Sequence, residues 1–267
     1  MSLKRPDQTL FYKQAAPSGQ IFGIDLYMPL DQPAHSCVVY AHGGGFSHGS
    51  RKDKTAARLA TVLCDEGIAV ASIDYRKKAG IDAFTAPESL EIIASQARTQ
   101  RVGLKINLDY AGPRFYAALE DASDAVGYLR AHADVLGIGD CIVFLGASAG
   151  GILAMSLAFP PGRGWERLHR PDGAMSVCGA MVQPWRLSPK GPPAVMMHGY
   201  FDGVISTQNA RFVANRAAAK GAPLDVIITP VRGHRQQVDA FLNGRDETSE
   251  PYMDLLRNLI TKARGHR

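Results

Sequence analysis

The chain has 267 residues, 46% hydrophobic and 21% charged, with a formal net charge of +5. That length buries a large core and fits one full-sized α/β domain better than two small ones, and the composition excludes a disordered chain. Lysine and arginine are spread along the sequence and their densest runs, "YRKK" at 75–78 and the terminal "ARGHR", are short, so the charge reads as a solvated surface with no nucleic-acid partner expected.

In chain order, "LFYK" (10–13) and the alternating "IFGIDLYMP" (21–29) read as a pair of strands, followed by the continuous apolar run "CVVYAH" (37–42). The segment 52–67 is helical, with Ala56, Leu59, Ala60 and Leu63 on one face and Gly67 placed to end it. A strand "IAVASIDY" (68–75) comes next, then a helix from about Pro113 carrying Phe115, Ala118, Leu119, Ala122, Val126 and Leu129 at helical spacing. Strand "CIVFL" (141–145) leads into helix "AGGILAMSLA" (149–158), and strands "AMSVCG" (174–179) and "AVMMHG" (194–199) follow. A helix over 206–221 has Ser206 as its N-cap and Gly221 beyond its end; "DVIITP" (225–230) is the last strand. The closing helix repeats Tyr252, Leu255, Leu256 and Leu259 behind a Ser249-Glu250-Pro251 start. Strands alternating with helices imply βαβ crossovers and a mostly parallel sheet of about eight strands covered on both faces, with an antiparallel pair at the N-terminal edge.

Cys37, Cys64, Cys141 and Cys178 lie far apart in apolar segments without C-x-x-C spacing, so they read as buried reduced thiols; neither a zinc site nor another metal or cofactor is expected. The opening "MSLKRPDQTL" lacks the apolar core of a secretory leader, and no stretch approaches eighteen apolar residues. The expectation is a soluble cytoplasmic protein with no membrane partner. Its oligomeric state stays open, a homodimer included.

Ligands of open α/β sheets bind in loops beyond the carboxyl ends of the strands. "GASAG" (146–150) stands at one such end, where small residues permit a sharp strand-to-helix turn that pushes the Ser148 oxygen out. A bland alternative is a tight turn with no chemistry. A serine hydroxyl needs a base, and the base an orienting carboxylate. Among the later histidines, His234 lies in "PVRGHRQQ" just past the last strand, where a solvated loop histidine is the alternative. Among the carboxylates between them (Glu166, Asp172, Asp202 and Asp225), only Asp202 in "HGYFDGVIS" follows a strand's carboxyl end. Serine, acid and base on three independent loops at one sheet edge favour a nucleophilic triad. The loop "YAHGGGFSHGS" (40–50) opens on the same edge with consecutive N–H groups; it lacks the Gly-Lys-Ser/Thr of a phosphate loop and the G-x-G-x-x-G of a dinucleotide site, so an oxyanion hole is the better reading.

Taken together, "HGGGF" (42–46), "DYR" (74–76), "FYAALEDA" (115–122), "GASAGG" (146–151), "HGYFDGVI" (198–205) and "GH" (233–234) resemble the α/β-hydrolase superfamily, in its serine esterase and lipase branch with an HGGG loop. The resemblance extends to small bacterial carboxylesterases of the acetyl or feruloyl esterase and hormone-sensitive-lipase-like kinds. It implies an α/β-hydrolase fold without a large cap domain, residues 1–267 forming a single domain. It implies Ser148 as nucleophile, His234 as base, Asp202 as its orienting acid, and Gly44, Gly45 and Ala149 as oxyanion donors. His42 would brace the glycine loop, while Asp74, Arg76 and Asp121 would be structural. Only about 14 residues (180–193) separate two strands where many lipases insert a cap, whereas residues 77–114 form a longer link than usual, a lid-like insertion with a helical stretch at 86–100. Phe46 and Trp185 are the candidate walls of the acyl pocket, packed surface aromatics being the alternative. The implied reaction is cleavage of small-molecule carboxylic esters, short-chain or carbohydrate-linked, through an acyl-enzyme. The alternatives are amide or formamide hydrolysis of the kynurenine formamidase type and a receptor built on a hydrolase fold.

Overall fold

The computed structural model describes residues 3–15 and 19–266. Strands β1 (Gln8–Ala15), β2 (Gln20–Tyr27), β3 (Ser36–Ala41), β4 (Ile68–Ile73), β5 (Cys141–Ala147), β6 (Gly173–Val177), β7 (Ala194–Phe201) and β8 (Leu224–Arg232) form one sheet in the order β1-β2-β4-β3-β5-β6-β7-β8. Strand β2 pairs antiparallel with both β1 and β4, and every pairing from β4 to β8 is parallel.

Period-two alternation along the fully buried strands divides the core in two. Val39, Ala41, Ile142, Phe144 and Met196 face one layer of helices: α2 (Ala86–Arg101), α3 (Pro113–Ala131), α5 (Ala149–Ala158) and α6 (Thr207–Lys220). Their neighbours Val38, Tyr40, Val143, Leu145 and Met197 face α1 (Lys54–Leu63), α7 (Gln236–Asn243) and α8 (Met253–Gly265). Strands buried on both faces therefore read as continuous apolar runs; α1 and α8 show one apolar stripe each, whereas α5 is buried at every position. The helix α4 (Ala133–Leu136) is a single turn before β5.

Local chemistry marks the helix ends. Asp53 accepts from Thr55 N–H at 2.9 Å to start α1, and Gly67 at φ 75° closes the turn that follows it. Ser206 accepts from Gln208 N–H at 3.3 Å, and Gly221 at φ 59° ends α6. The start expected for α8 differs: its N-cap position is Tyr252 and no side chain caps it. Ser249 instead sits at φ 70° in a turn organised by Asp246, whose Oδ1 accepts from the Thr248 and Glu250 N–H groups. Helix α7 was not anticipated: it spans only eight residues and no side-chain cap marks its start.

Asp74, Arg76 and Asp121 are engaged in ion pairs. Arg51 bridges Asp25 at 2.8 Å and Asp74, and Arg76 holds Asp121 at 2.9 Å and Glu120 at 2.8 Å. These pairs fasten the segments after β3 and β4 to β2 and α3. All four cysteines are buried thiols. Among the described residues no helix is long and apolar enough to cross a membrane.

Candidate active site

Ser148 lies between β5 and α5 at φ 54°, ψ −114°, a conformation L-residues adopt only under strain of order 1–3 kcal/mol. Its N–H donates to Val177 O at 2.9 Å, which anchors the turn to β6. The flanking glycines are obligatory. A Cβ on Gly146 would overlap the Gly150 backbone, and one on Gly150 would overlap the Ala41 carbonyl at the end of β3.

Asp202 follows β7 in a tight turn in which its Oδ1 accepts from Val204 N–H at 2.8 Å and Ile205 N–H at 3.0 Å. Its Oδ2 lies 2.7 Å from His234 Nδ1 and accepts from Gln237 Nε2 at 2.8 Å. Burial alone would raise the carboxyl pKa; the hydrogen bonds from His234 and from the Ile205 and Val204 N–H groups outweigh it and bring the pKa down to about 2. An ionised Asp202 accepts only, so Nδ1 carries the imidazole proton and Nε2 faces Ser148 Oγ at 2.8 Å as an acceptor. His234 follows β8, and its loop is tied to the end of β7 by Gly233 N–H donating to Phe201 O at 2.7 Å. Serine, imidazole and carboxylate thus form one hydrogen-bonded line.

The glycine loop lies against this line. A Cβ on Gly43 would sit 3.3 Å from Ser148 Cβ. Gly44 and Gly45 take φ 119° and 59°, and the Gly44 carbonyl accepts from Ser47 and His48 N–H, each at 3.0 Å. Ala149 is the first residue of α5, where a helical N–H lacks an intrahelical acceptor. His42 stacks on Tyr75 with ring centroids 4.3 Å apart, its Nδ1 is 2.6 Å from Gly43 O, and Tyr75 O–H donates to His42 O at 2.7 Å. Burial lowers the His42 pKa, and the neutral ring braces the loop.

A cavity of about 490 Å³ opens onto Ser148 and His234. Its walls come from Gly43–Gly45, Tyr110, Val204, Cys178, and the facing flanks of α1 and α7, including Arg58, Val238 and Asp239. The expected walls are elsewhere. Phe46 is fully buried among the rings of Tyr75, Tyr110 and Phe115, because the loop turns its side chain into the core. Trp185 lies under the Arg98 guanidinium at 4.6 Å, on the side of α2. Neither lines the cavity. From 77–114 only Tyr110 reaches it; α2 is held down by buried Ile92 and by Thr99 Oγ1 donating to Val182 O at 3.0 Å. Cys178, although at the cavity, is 1% exposed, and burial pushes its thiol up to about 12, far from a reactive thiolate. Among the described residues no cluster of three or more His, Cys, Asp or Glu side chains is arranged to hold a metal ion.

Two residues support the acid from behind; the sequence marks His198 as a strand-end histidine with a core or loop role and does not mark Gln237. His198 is fully buried; its Nε2 donates to Ile205 O at 2.9 Å, closing the Asp202 turn, and burial lowers its pKa so that it stays neutral. Gln237 approaches from α7. Only its position one helical turn beyond His234 hinted at this, and that hint required α7 to be recognised.

A family model described as BD-FAE matches residues 24–91, from β2 into α2. No curated protein matches the chain. Among solved structures, the butyrate-bound esterase from the Planctomycetes species Thermogutta terrifontis is 18% identical, with a TM-score of 0.68 over 96% of this chain and 94% of that one. Its propionate-bound form is 19% identical with a TM-score of 0.67 over the same shares. Thermogutta terrifontis esterase 2 phosphonylated by cyclosarin is 18% identical with a TM-score of 0.65 over 96% and 92%. The eight-stranded sheet and these likenesses establish the α/β-hydrolase fold for this chain.

Proposed function

We propose that this chain is a serine hydrolase that cleaves small carboxylic esters through an acyl-enzyme, with Ser148 as nucleophile, His234 as base and Asp202 as orienting acid. The observation that carries the reading is the unbroken line from Asp202 Oδ2 through His234 to Ser148 Oγ, at 2.7 and 2.8 Å. Ser148 Oγ attacks the ester carbonyl as its proton passes to His234 Nε2, and the imidazolium that forms is stabilised by Asp202. The oxyanion is met by the N–H groups of Gly44, Gly45 and Ala149, each donor contributing about 10²–10³ in rate. Collapse breaks the bond to the alcohol, which leaves with the proton from His234. Water then gives a proton to the same nitrogen, attacks the acyl-enzyme, and releases the acid and free Ser148.

The cavity of about 490 Å³ favours a small substrate. The Thermogutta esterase described with propionate and with butyrate bound agrees with that size. Two cores on the faces of one sheet support reading 1–267 as one hydrolase domain, in which 77–114 is an insertion that adds Tyr110 to the cavity wall.

Ser148→Ala tests the assignment. The variant is expected to keep the fold and lose turnover of p-nitrophenyl acetate and butyrate together with labelling by a fluorophosphonate. Retained turnover removes Ser148 from the mechanism.

A further inference from the structure

Gln237 is fully buried on the first turn of α7, and all its polar atoms are engaged. Its Oε1 accepts from Gly199 N–H at 2.6 Å, and its Nε2 donates to Asp202 Oδ2 at 2.8 Å and to Gly233 O at 3.0 Å. One amide therefore joins β7, the acid, and the residue preceding the base. Space has been left for it: a Cβ on Gly199 would lie 2.9 Å from the Gln237 amide carbon. The oxygen it reaches on Asp202 is the one that faces His234 Nδ1.

We propose that Gln237 is a positioning residue that fixes the Asp202 carboxylate against His234 and moderates its pull on the imidazole. The proposal rests on the hydrolase reading above and deepens it. Two donors on one oxygen share its charge, so removing the amide strengthens the remaining bond to Nδ1 and favours the imidazolium. The acid limb of the activity profile therefore moves to higher pH. Val204 and Ile205 N–H still hold Oδ1, but Oδ2 keeps His234 as its one partner among these contacts and is less firmly placed, which lowers kcat. The other groups facing His234 are His198, 3.5 Å from Asp202 and kept neutral by burial, the Cys178 thiol, Arg235 beside it in the chain, and Asp239 of α7, paired with Arg58 at 2.7 Å. All are the same in every variant, so a displaced profile reports the Gln237 contact.

Gln237→Met keeps the length and removes the hydrogen bonds. Gln237→Glu keeps the shape, and its second oxygen can donate to Asp202 only while protonated. The measurements are kcat and KM for p-nitrophenyl acetate across pH, and the proton resonance of His234 Nδ1–H. For Gln237→Met, kcat is expected to fall roughly tenfold with KM little changed, at the lower end for a hydrogen bond to a charged group. The acid limb should move to higher pH and the Nδ1 proton downfield. Gln237→Glu should displace the limb further, and it decides the matter if the methionine variant does not fold. An unmoved acid limb and resonance would overturn the proposal, even with lowered thermal stability, leaving Gln237 a structural residue. If the wild type neither turns over esters nor takes the fluorophosphonate, the hydrolase reading has failed, and the resonance still reports the Gln237 contact.

Discussion

Replacing Asp202 with asparagine exchanges one carboxylate oxygen for an amide nitrogen, and the surroundings dictate which. Oδ1 is held by two backbone donors, Val204 and Ile205 N–H, so the asparagine carbonyl must take that position. The amide nitrogen then stands at the Oδ2 position, facing His234 Nδ1 and the Gln237 amide, both donors in the parent protein. The imidazole avoids the clash by moving its proton to Nε2. That nitrogen then donates towards Ser148 Oγ and cannot accept its proton. The wrong tautomer costs about 10⁴ in kcat in the serine-protease triad, or about 5 kcal/mol of transition-state stabilisation. A similar loss is expected here, with KM changing little, since Asp202 is 8% exposed and absent from the cavity wall. Stopped assays with p-nitrophenyl butyrate give the rate, ¹⁵N chemical shifts of His234 give the tautomer, and circular dichroism gives the fold. A folded variant within tenfold of the parent kcat would refute the reasoning and send the search to another acid.

Tyr110→Ala should raise KM several-fold by opening the cavity wall, whereas Trp185→Ala should leave kcat/KM within about twofold; the opposite pattern would restore Trp185 to the site. Gly150→Ala should cost more than about 4 kcal/mol or abolish folding, because its methyl meets the Ala41 carbonyl, and a parent-like thermal midpoint would contradict the packing described. Stability should fall with acid in two stages, followed by urea unfolding against pH. Burial lowers His42 and His198, so the unfolded chain binds protons the folded one refuses once pH drops through about 6.5. Asp202, with its folded pKa lowered to about 2, adds stability that is present above the unfolded value near 3.9 and is lost between the two. A flat profile between neutrality and pH 4 would argue against neutral buried histidines.

Much of this protein was legible in its sequence because the governing physics is local. Short continuous apolar runs such as "CVVYAH" and "CIVFL" read as strands buried on both faces, and the spacing from Phe115 to Leu129 reads as a helix. The glycines around Ser148 announced a turn too tight for side chains, and the loops bearing Ser148, Asp202 and His234 could be ordered along one sheet edge by strand polarity alone. The cavity walls and the support behind the acid were decided only in three dimensions. Phe46 and Trp185 are aromatic and close in sequence to the glycine loop and to a strand end, yet one turns into the core and the other packs on Arg98. Arg58 and Asp239, far apart in sequence, meet because α1 and α7 cover the same face of the sheet. Gln237 carries no signal of its own: a glutamine beyond a loop reads as a solvated side chain until α7 lays it across β7. A residue's neighbours along the chain specify its backbone, but only the packing of distant elements settles what its side chain touches.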